Sequence, residues 1–130
     1  MNEPGASVDE LAKAVIGAAM EVHTILGAGF LESTYEQALA IELALRGISF
    51  QRQWPVALNY KGELVGEARL DFLIDGELIV ELKAVDCLHP IHHAQVINYL
   101  RATQRQLGLL INFNVEHLRD GIKRIVLTES

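Results

Sequence analysis

The hydrophobic pattern of the chain predicts an α/β domain with a mixed central sheet flanked by helices. Three observations carry this. Two stretches with apolar residues at spacings of three and four open the sequence. Three strand-like stretches joined by glycine turns follow, then a third helical stretch and two short apolar runs. The element order is therefore ααβββαββ. At 130 residues, half of them hydrophobic, the chain has the length and the core of one domain. No repeat, low-complexity segment or linker divides it.

Residues 1–6 read as a flexible tail, and 7–130 as the domain. Ser7 and Glu10 form an S-x-x-E capping box, which predicts a helix start. Val8, Leu11, Ala12, Val15, Ile16, Ala19, Val22 and Leu26 then make one apolar stripe, closed by Gly27-Ala28-Gly29. The second helix is predicted from about Leu31 to Arg46, before Gly47, with Leu31, Tyr35, Ala38 and Leu45 centring its apolar face. Glu32 falls at the border of that face. Glu42 either pairs with Arg46 one turn on or makes a buried contact to the sheet. Strands are predicted at Phe50–Asn59, Leu64–Leu73 and Glu77–Val85. Pro90 suits the first turn of a helix reaching about Gln104. Leu107–Phe113 is a continuous apolar run, as in a strand covered on both faces. Ile122–Leu127 is the last predicted strand.

Composition excludes several function classes. No apolar run reaches the ~18–20 residues of a membrane span. The start, MNEPGASVDE, is polar and acidic and lacks the basic and apolar regions of a secretory signal. The single Cys87 can form no internal disulfide and no zinc quartet. A cytoplasmic protein is expected. Lys plus Arg number 11 and Asp plus Glu 17, a net charge of −6. A nucleic-acid binder usually presents a basic face. The nearest approach to one is Arg101, Arg105, Arg119, Lys123 and Arg124. Any grip on nucleic acid by this chain alone is expected to be weak.

The stretch DFLIDGELIVELKA, residues 71–84, places Asp71, Glu81 and Lys83 in an otherwise apolar hairpin. A two-residue turn at Asp75-Gly76 would set charges against apolar partners along the ladder. A three-residue loop, Ile74-Asp75-Gly76 with Gly76 left-handed, pairs Phe72 with Leu78, Leu70 with Val80 and Ala68 with Leu82. Asp71 then opposes Ile79, Arg69 opposes Glu81, and Glu67 opposes Lys83. This register gathers Asp71, Glu81 and Lys83 on one face, with diagonal neighbours about 7–8 Å apart. Two carboxylates at that spacing, with a main-chain carbonyl, suit Mg²⁺, a hard cation that keeps several waters. A lysine beside two carboxylates suits an electrostatic role at a phosphoryl group better than that of a general base.

Asp71 followed by Glu81-Leu82-Lys83 resembles the PD-(D/E)xK nuclease superfamily. Gly29-Phe30-Leu31-Glu32-Ser33-Thr34-Tyr35 matches G-x-x-E-x-x-Y, the signature of the GxxExxY proteins assigned to it. Gln95-Val96-Ile97-Asn98-Tyr99 matches the Q-x-x-x-Y motif of helicase-associated nuclease domains. The resemblance runs from the first helix to Phe113. Leu70 stands where proline commonly precedes the acid, which leaves the ligand in place. The resemblance implies a restriction-endonuclease-like core. It implies that Asp71 and Glu81 hold Mg²⁺ or Mn²⁺ with the Leu82 carbonyl, and that Lys83 assists the attacking water. It implies that Glu32 approaches through water or a second ion, and that Gln95 and Tyr99 orient the substrate phosphate or the lysine. His92 shares the Gln95–Tyr99 face and edges the cleft, while His89 and His93 read as ordinary helix-start residues. Tyr35 reads as core packing whose hydroxyl can reach the site as a substrate contact. The expected function is Mg²⁺-dependent hydrolysis of nucleic-acid phosphodiesters (DNA or RNA). The rival is a non-catalytic module of the same fold that binds nucleic acid or a protein. A third reading is hydrolysis of a smaller phosphorylated substrate. The acidic charge favours delivery by a partner protein or action as a homo-oligomer.

Overall fold

The computed structural model describes residues 6–128. Apart from Ala6, the tail expected over residues 1–6 lies outside them. The first helix, α1 (Ala6–Leu26), buries Ala12, Val15, Ala18, Ala19 and Val22. It already includes Ala6, so Ser7 and Glu10 lie within its first turns instead of capping it. Gly27 ends α1 at φ +72, its N–H donating to the His23 carbonyl.

The second helix, α2 (Glu32–Leu45), packs on α1 and on the sheet through Tyr35, Leu39, Ala40 and Leu43. This corrects the predicted apolar face. Leu31 and Leu45 are 75% and 77% exposed: Leu31 precedes the helix as its N-cap, and Leu45, two residues past Leu43, lies on the far side from a stripe that runs 35–39–43. Glu42 pairs with Arg46 at 2.7 Å, the first of its two expected options.

The strands are β1 (Phe50–Tyr60), β2 (Glu63–Ile74), β3 (Leu78–Lys83), β4 (Leu107–Asn112) and β5 (Ile122–Val126). They form one sheet in that spatial order. The crossover through α3 (Pro90–Thr103) makes β3 and β4 parallel, and every other pair is antiparallel. A 3₁₀ turn at Leu118–Gly121, absent from the sequence reading, leads into β5. The α1/α2 layer covers one sheet face, burying Phe72, Ile74, Leu78, Val80 and Leu82. On the other face α3 packs Val96 and Leu100 against Leu73, Ile79 and Leu110. Both faces are thus covered, and β4 is buried at every position. Gly108 allows the close approach of α3: a Cβ there would lie 2.9 Å from Val96 Cγ1.

The β2–β3 register is Phe72↔Val80, Leu73↔Ile79 and Ile74↔Leu78. The loop has three residues, as expected, but they are Asp75-Gly76-Glu77. The predicted register was therefore wrong by two positions. Asp75 and Gly76 both have positive φ, +51 and +70, and Glu77 N–H closes the turn on the Ile74 carbonyl. This turn twists with the strands, and Glu77 becomes the extra residue. An error of two residues preserves the faces, since side chains alternate with period two. It changes the partners, so Asp71 comes opposite Glu81 and not Ile79.

One further feature positions the site. In β1, Phe50 packs in the α1/α2 core, whereas Trp54, Val56 and Leu58 pack in the α3 core. In β2, Phe72 belongs to the first core and Leu70 to the second. Both strands therefore exchange faces, around Gln53 and Asp71, without losing their mutual register. Gln53 has φ +51, the left-handed region.

Candidate active site

The β2–β3 ladder stops at Phe72↔Val80. At the next position the two strands are joined by acid side chains. The Asp71 N–H donates to Glu81 Oε2 at 2.7 Å, and the Leu82 N–H donates to Asp71 Oδ2 at 2.8 Å. Each carboxylate takes the place of a ladder carbonyl on the facing strand, in short charge-assisted bonds. The pair is thereby held together where the strands part.

Glu81 is 4% exposed. Burial pushes its carboxyl up to about 8, and the charge of Asp71 adds to the shift. The Asp71 carboxyl is also raised, first by burial, with the Leu82 N–H opposing. A buried and a half-buried acid on facing strands cannot both ionise cheaply without a cation. One oxygen of each is committed to the backbone, and the other is left for a further partner. Asp71 Oδ1 has only a long contact, 3.4 Å, from Gln53 Nε2. Hard oxygen donors that repel each other suit a divalent cation whose remaining positions are filled by water. Among the described residues no three His, Cys, Asp or Glu side chains converge as a metal site. A third protein donor would therefore be main-chain. The Leu82 side chain is fully buried in the first core, so only its main chain is turned to the acid pair.

Lys83 ends β3, two residues beyond Glu81. Its Nζ donates to Gln95 Oε1 at 3.4 Å. Tyr99, one turn along α3 from Gln95, is raised above the usual phenol range by partial burial and then by the charges of Glu81 and Asp71. Glu32 opens α2 as its only first-turn acid. Its carboxyl is raised by desolvation, then by Asp71, with Lys83 opposing. Residues from α2, β2, β3 and α3 thus share one electrostatic site. His92 sits at its rim. Its Nδ1 accepts the His89 N–H at 3.0 Å, the reach-back half of a capping box. Desolvation and the nearby Lys83 charge lower its pKa.

Tyr35 is a correction to the substrate-contact expectation. It is fully buried and stacked on Phe113 at 4.5 Å. Its hydroxyl donates to the Gly27 carbonyl at 2.5 Å and accepts the Phe30 N–H at 3.2 Å. It ties the glycine loop to α2, its one donor is used within the fold, and its burial keeps it from a substrate.

Three polar residues near the site were missed by the sequence reading. Glu36 lies one turn after Glu32 and bonds Arg52 and Gln53. Their shared helix face was readable from the spacing of four. Gln53 links Glu36 to Asp71, and nothing local in the sequence marks it. Asn112, 2% exposed at the end of β4, accepts the Val85 N–H at 3.1 Å and donates to the Val85 carbonyl at 3.0 Å. That clamp fixes the chain as it leaves Lys83 for α3. Its only sequence signal is an asparagine closing an apolar run. Arg105, one of the basic residues singled out in the sequence, lies over the Trp54 ring at 5.1 Å and bonds the Gly76 carbonyl.

A family model described as the PD-(D/E)XK nuclease superfamily matches residues 9–125. No curated protein matches the sequence. Among solved structures, SSO0001 is similar at 17% identity and a TM-score of 0.52, over 86% of this chain. The chain spans 62% of the length of SSO0001. An alkaline exonuclease from Laribacter hongkongensis is similar at 14% identity and a TM-score of 0.42, over 98% of this chain and 73% of its own. The likeness to SSO0001 is one of fold, and the second is too loose to bear on chemistry.

Proposed function

We propose that this chain, which belongs to the PD-(D/E)XK nuclease superfamily, is a divalent-metal-dependent nuclease that hydrolyses nucleic-acid phosphodiesters. The observation that carries the reading is the Asp71–Glu81 pair, half-buried and buried, fixed by reciprocal bonds to the facing backbone, with Lys83 two residues after Glu81 on β3. Asp71, Glu81 and the Leu82 carbonyl would hold Mg²⁺ or Mn²⁺. Such an ion supplies a more acidic water and charge for the phosphoryl oxygens. The Lys83 ammonium, steadied by Gln95, adds a positive charge where the phosphoryl group becomes more negative. Tyr99, one turn further along α3 and within the field of Glu81 and Asp71, would face the substrate beside Gln95. Glu32 accepts a proton or a water at the open side, and His92 contacts the substrate at the rim. The run from Gly29 to Tyr35 supports a place in the GxxExxY group. The exposed free Cys87 fits a reducing, cytoplasmic setting.

The rival, a non-catalytic binding module, draws on the net charge of −6 and on the two-carboxylate site. An acidic nuclease of this size fits delivery by a partner protein or by assembly with its own copies. The test is a Mg²⁺ and Mn²⁺ titration of cleavage on single-stranded DNA, double-stranded DNA and RNA. Asp71→Asn and Lys83→Ala are run beside the wild type. Metal-dependent cleavage lost in both variants supports the enzyme. Equal residual cleavage in all three proteins overturns it, and metal binding without cleavage selects the module.

A further inference from the structure

Among the described residues, Gln53 is the only non-glycine residue with positive φ that lies inside a strand. The others, Lys61, Asp75 and Gln104, sit in turns or at a helix end. A long side chain is costly in the left-handed region, and such outliers persist where the surroundings over-determine them. Here the surroundings can be named. Gln53 stands opposite Asp71, between the paired positions Arg52↔Phe72 and Trp54↔Leu70. Both strands exchange faces there, β1 between Phe50 and Trp54 and β2 between Leu70 and Phe72. The Gln53 amide donates to Glu36 Oε1 at 2.9 Å and, at 3.4 Å, to Asp71 Oδ1. Glu36 is itself fixed by Arg52, 3.0 Å away. The Gln53 carbonyl accepts from Arg69 at 3.2 Å.

We infer that Gln53 is a positioning residue for Asp71. Its left-handed backbone turns the β1–β2 pair so that Asp71 reaches across to β3, and its amide, anchored on Glu36, sets the rotation of the Asp71 carboxylate. Asp71 Oδ2 is already taken by the Leu82 N–H, so Gln53 acts on the remaining oxygen. That oxygen is the one free to meet a cation. The inference toward metal rests on the function proposed above. The inference toward Asp71 itself does not.

The test uses Gln53→Gly, because glycine adopts the left-handed backbone freely and the substitution removes only the amide. Two readouts are taken on the whole chain. The first is hydrogen exchange of the Leu82 amide in metal-free protein, with the Leu110 amide as the reference for global opening. Release of Asp71 should speed Leu82 exchange by roughly 10-fold or more, with Leu110 unchanged. The second is Mn²⁺ binding by calorimetry without substrate, where loss of an outer-shell partner should weaken affinity by about 10-fold or more. Unchanged Leu82 exchange overturns the positioning role, whatever the metal does. Faster Leu82 exchange with unchanged Mn²⁺ affinity confines the role to Asp71 and overturns its extension to metal. If wild type binds no Mn²⁺, the metal reading fails, and Leu82 exchange still decides the role at Asp71. Gln53→Ala, which lacks the amide and retains the strain, should lose thermal stability relative to Gln53→Gly. A more stable alanine variant would contradict the left-handed backbone on which the inference stands.

Discussion

Replacing Glu81 with glutamine should stabilise the metal-free protein at alkaline pH. Glutamine keeps the shape, and its carbonyl can still accept the Asp71 N–H that Glu81 accepts at 2.7 Å. It removes a charge that burial and Asp71 make unfavourable. The Glu81 carboxyl titrates at about 8 in the fold against an ordinary 4.5. Between those values the folded chain holds a proton that the unfolded chain has released. Stability from this group is therefore present below about pH 4.5 and is lost as pH rises toward 8. The slope is about 1.4 kcal/mol per pH unit, and the full window has a ceiling of about 5 kcal/mol. A few kcal/mol is a large share of the 5–15 kcal/mol typical of a domain. The assay is urea unfolding in EDTA at pH 5, 6.5 and 8. Wild type should fall behind Glu81→Gln by a few kcal/mol at pH 8 and converge with it near pH 5. Mg²⁺ should restore wild type at pH 8 and leave the variant nearly unchanged. Parallel pH–stability curves for the two proteins would refute the argument that the acid pair is a stored electrostatic cost.

Three other outcomes follow from the same structure. On the proposed mechanism, in which the lysine stabilises developing charge and holds no metal, Lys83→Ala should lower cleavage by about 10²–10³-fold while Mn²⁺ affinity, read by calorimetry, stays near wild type. Asn112→Ala should cost about 2–4 kcal/mol in urea unfolding, because the Val85 N–H loses its partner and the Val85 carbonyl keeps only a 3.5 Å contact from Asn114. Gly121→Ala should be among the most damaging small substitutions: its Cβ would fall 2.2 Å from the Asn112 carbonyl oxygen, and backbone must move, costing about 3 kcal/mol or more by the same measurement. Wild-type stability in Gly121→Ala would mean that the 3₁₀ turn does not pack on β4 as described.

The sequence by itself determined the element order and the faces. Periodicities of 3.6 and 2 are local, so ααβββαββ and the common face of Asp71, Glu81 and Lys83 could be read by counting residues. Gly27 and Gly76, both at positive φ, were legible because the turns they make need a residue without a Cβ. The tertiary structure decided what counting cannot. It moved the hairpin register by two residues, which leaves the faces intact and brings Asp71 opposite Glu81. It turned the β1–β2 pair at Gln53, a residue with no intrinsic preference for the left-handed region. It sealed Tyr35 into the core against Phe113 and set Asn112 on Val85, partners 78 and 27 residues away in sequence. Each of these is fixed by contacts between distant elements, whose energy enters only once the layers have packed. The acid pair is the clearest case. Its chemistry is written in two residue types, but its pKa, its bonds and its aim come from a break in a ladder that forms only when β2 and β3 meet.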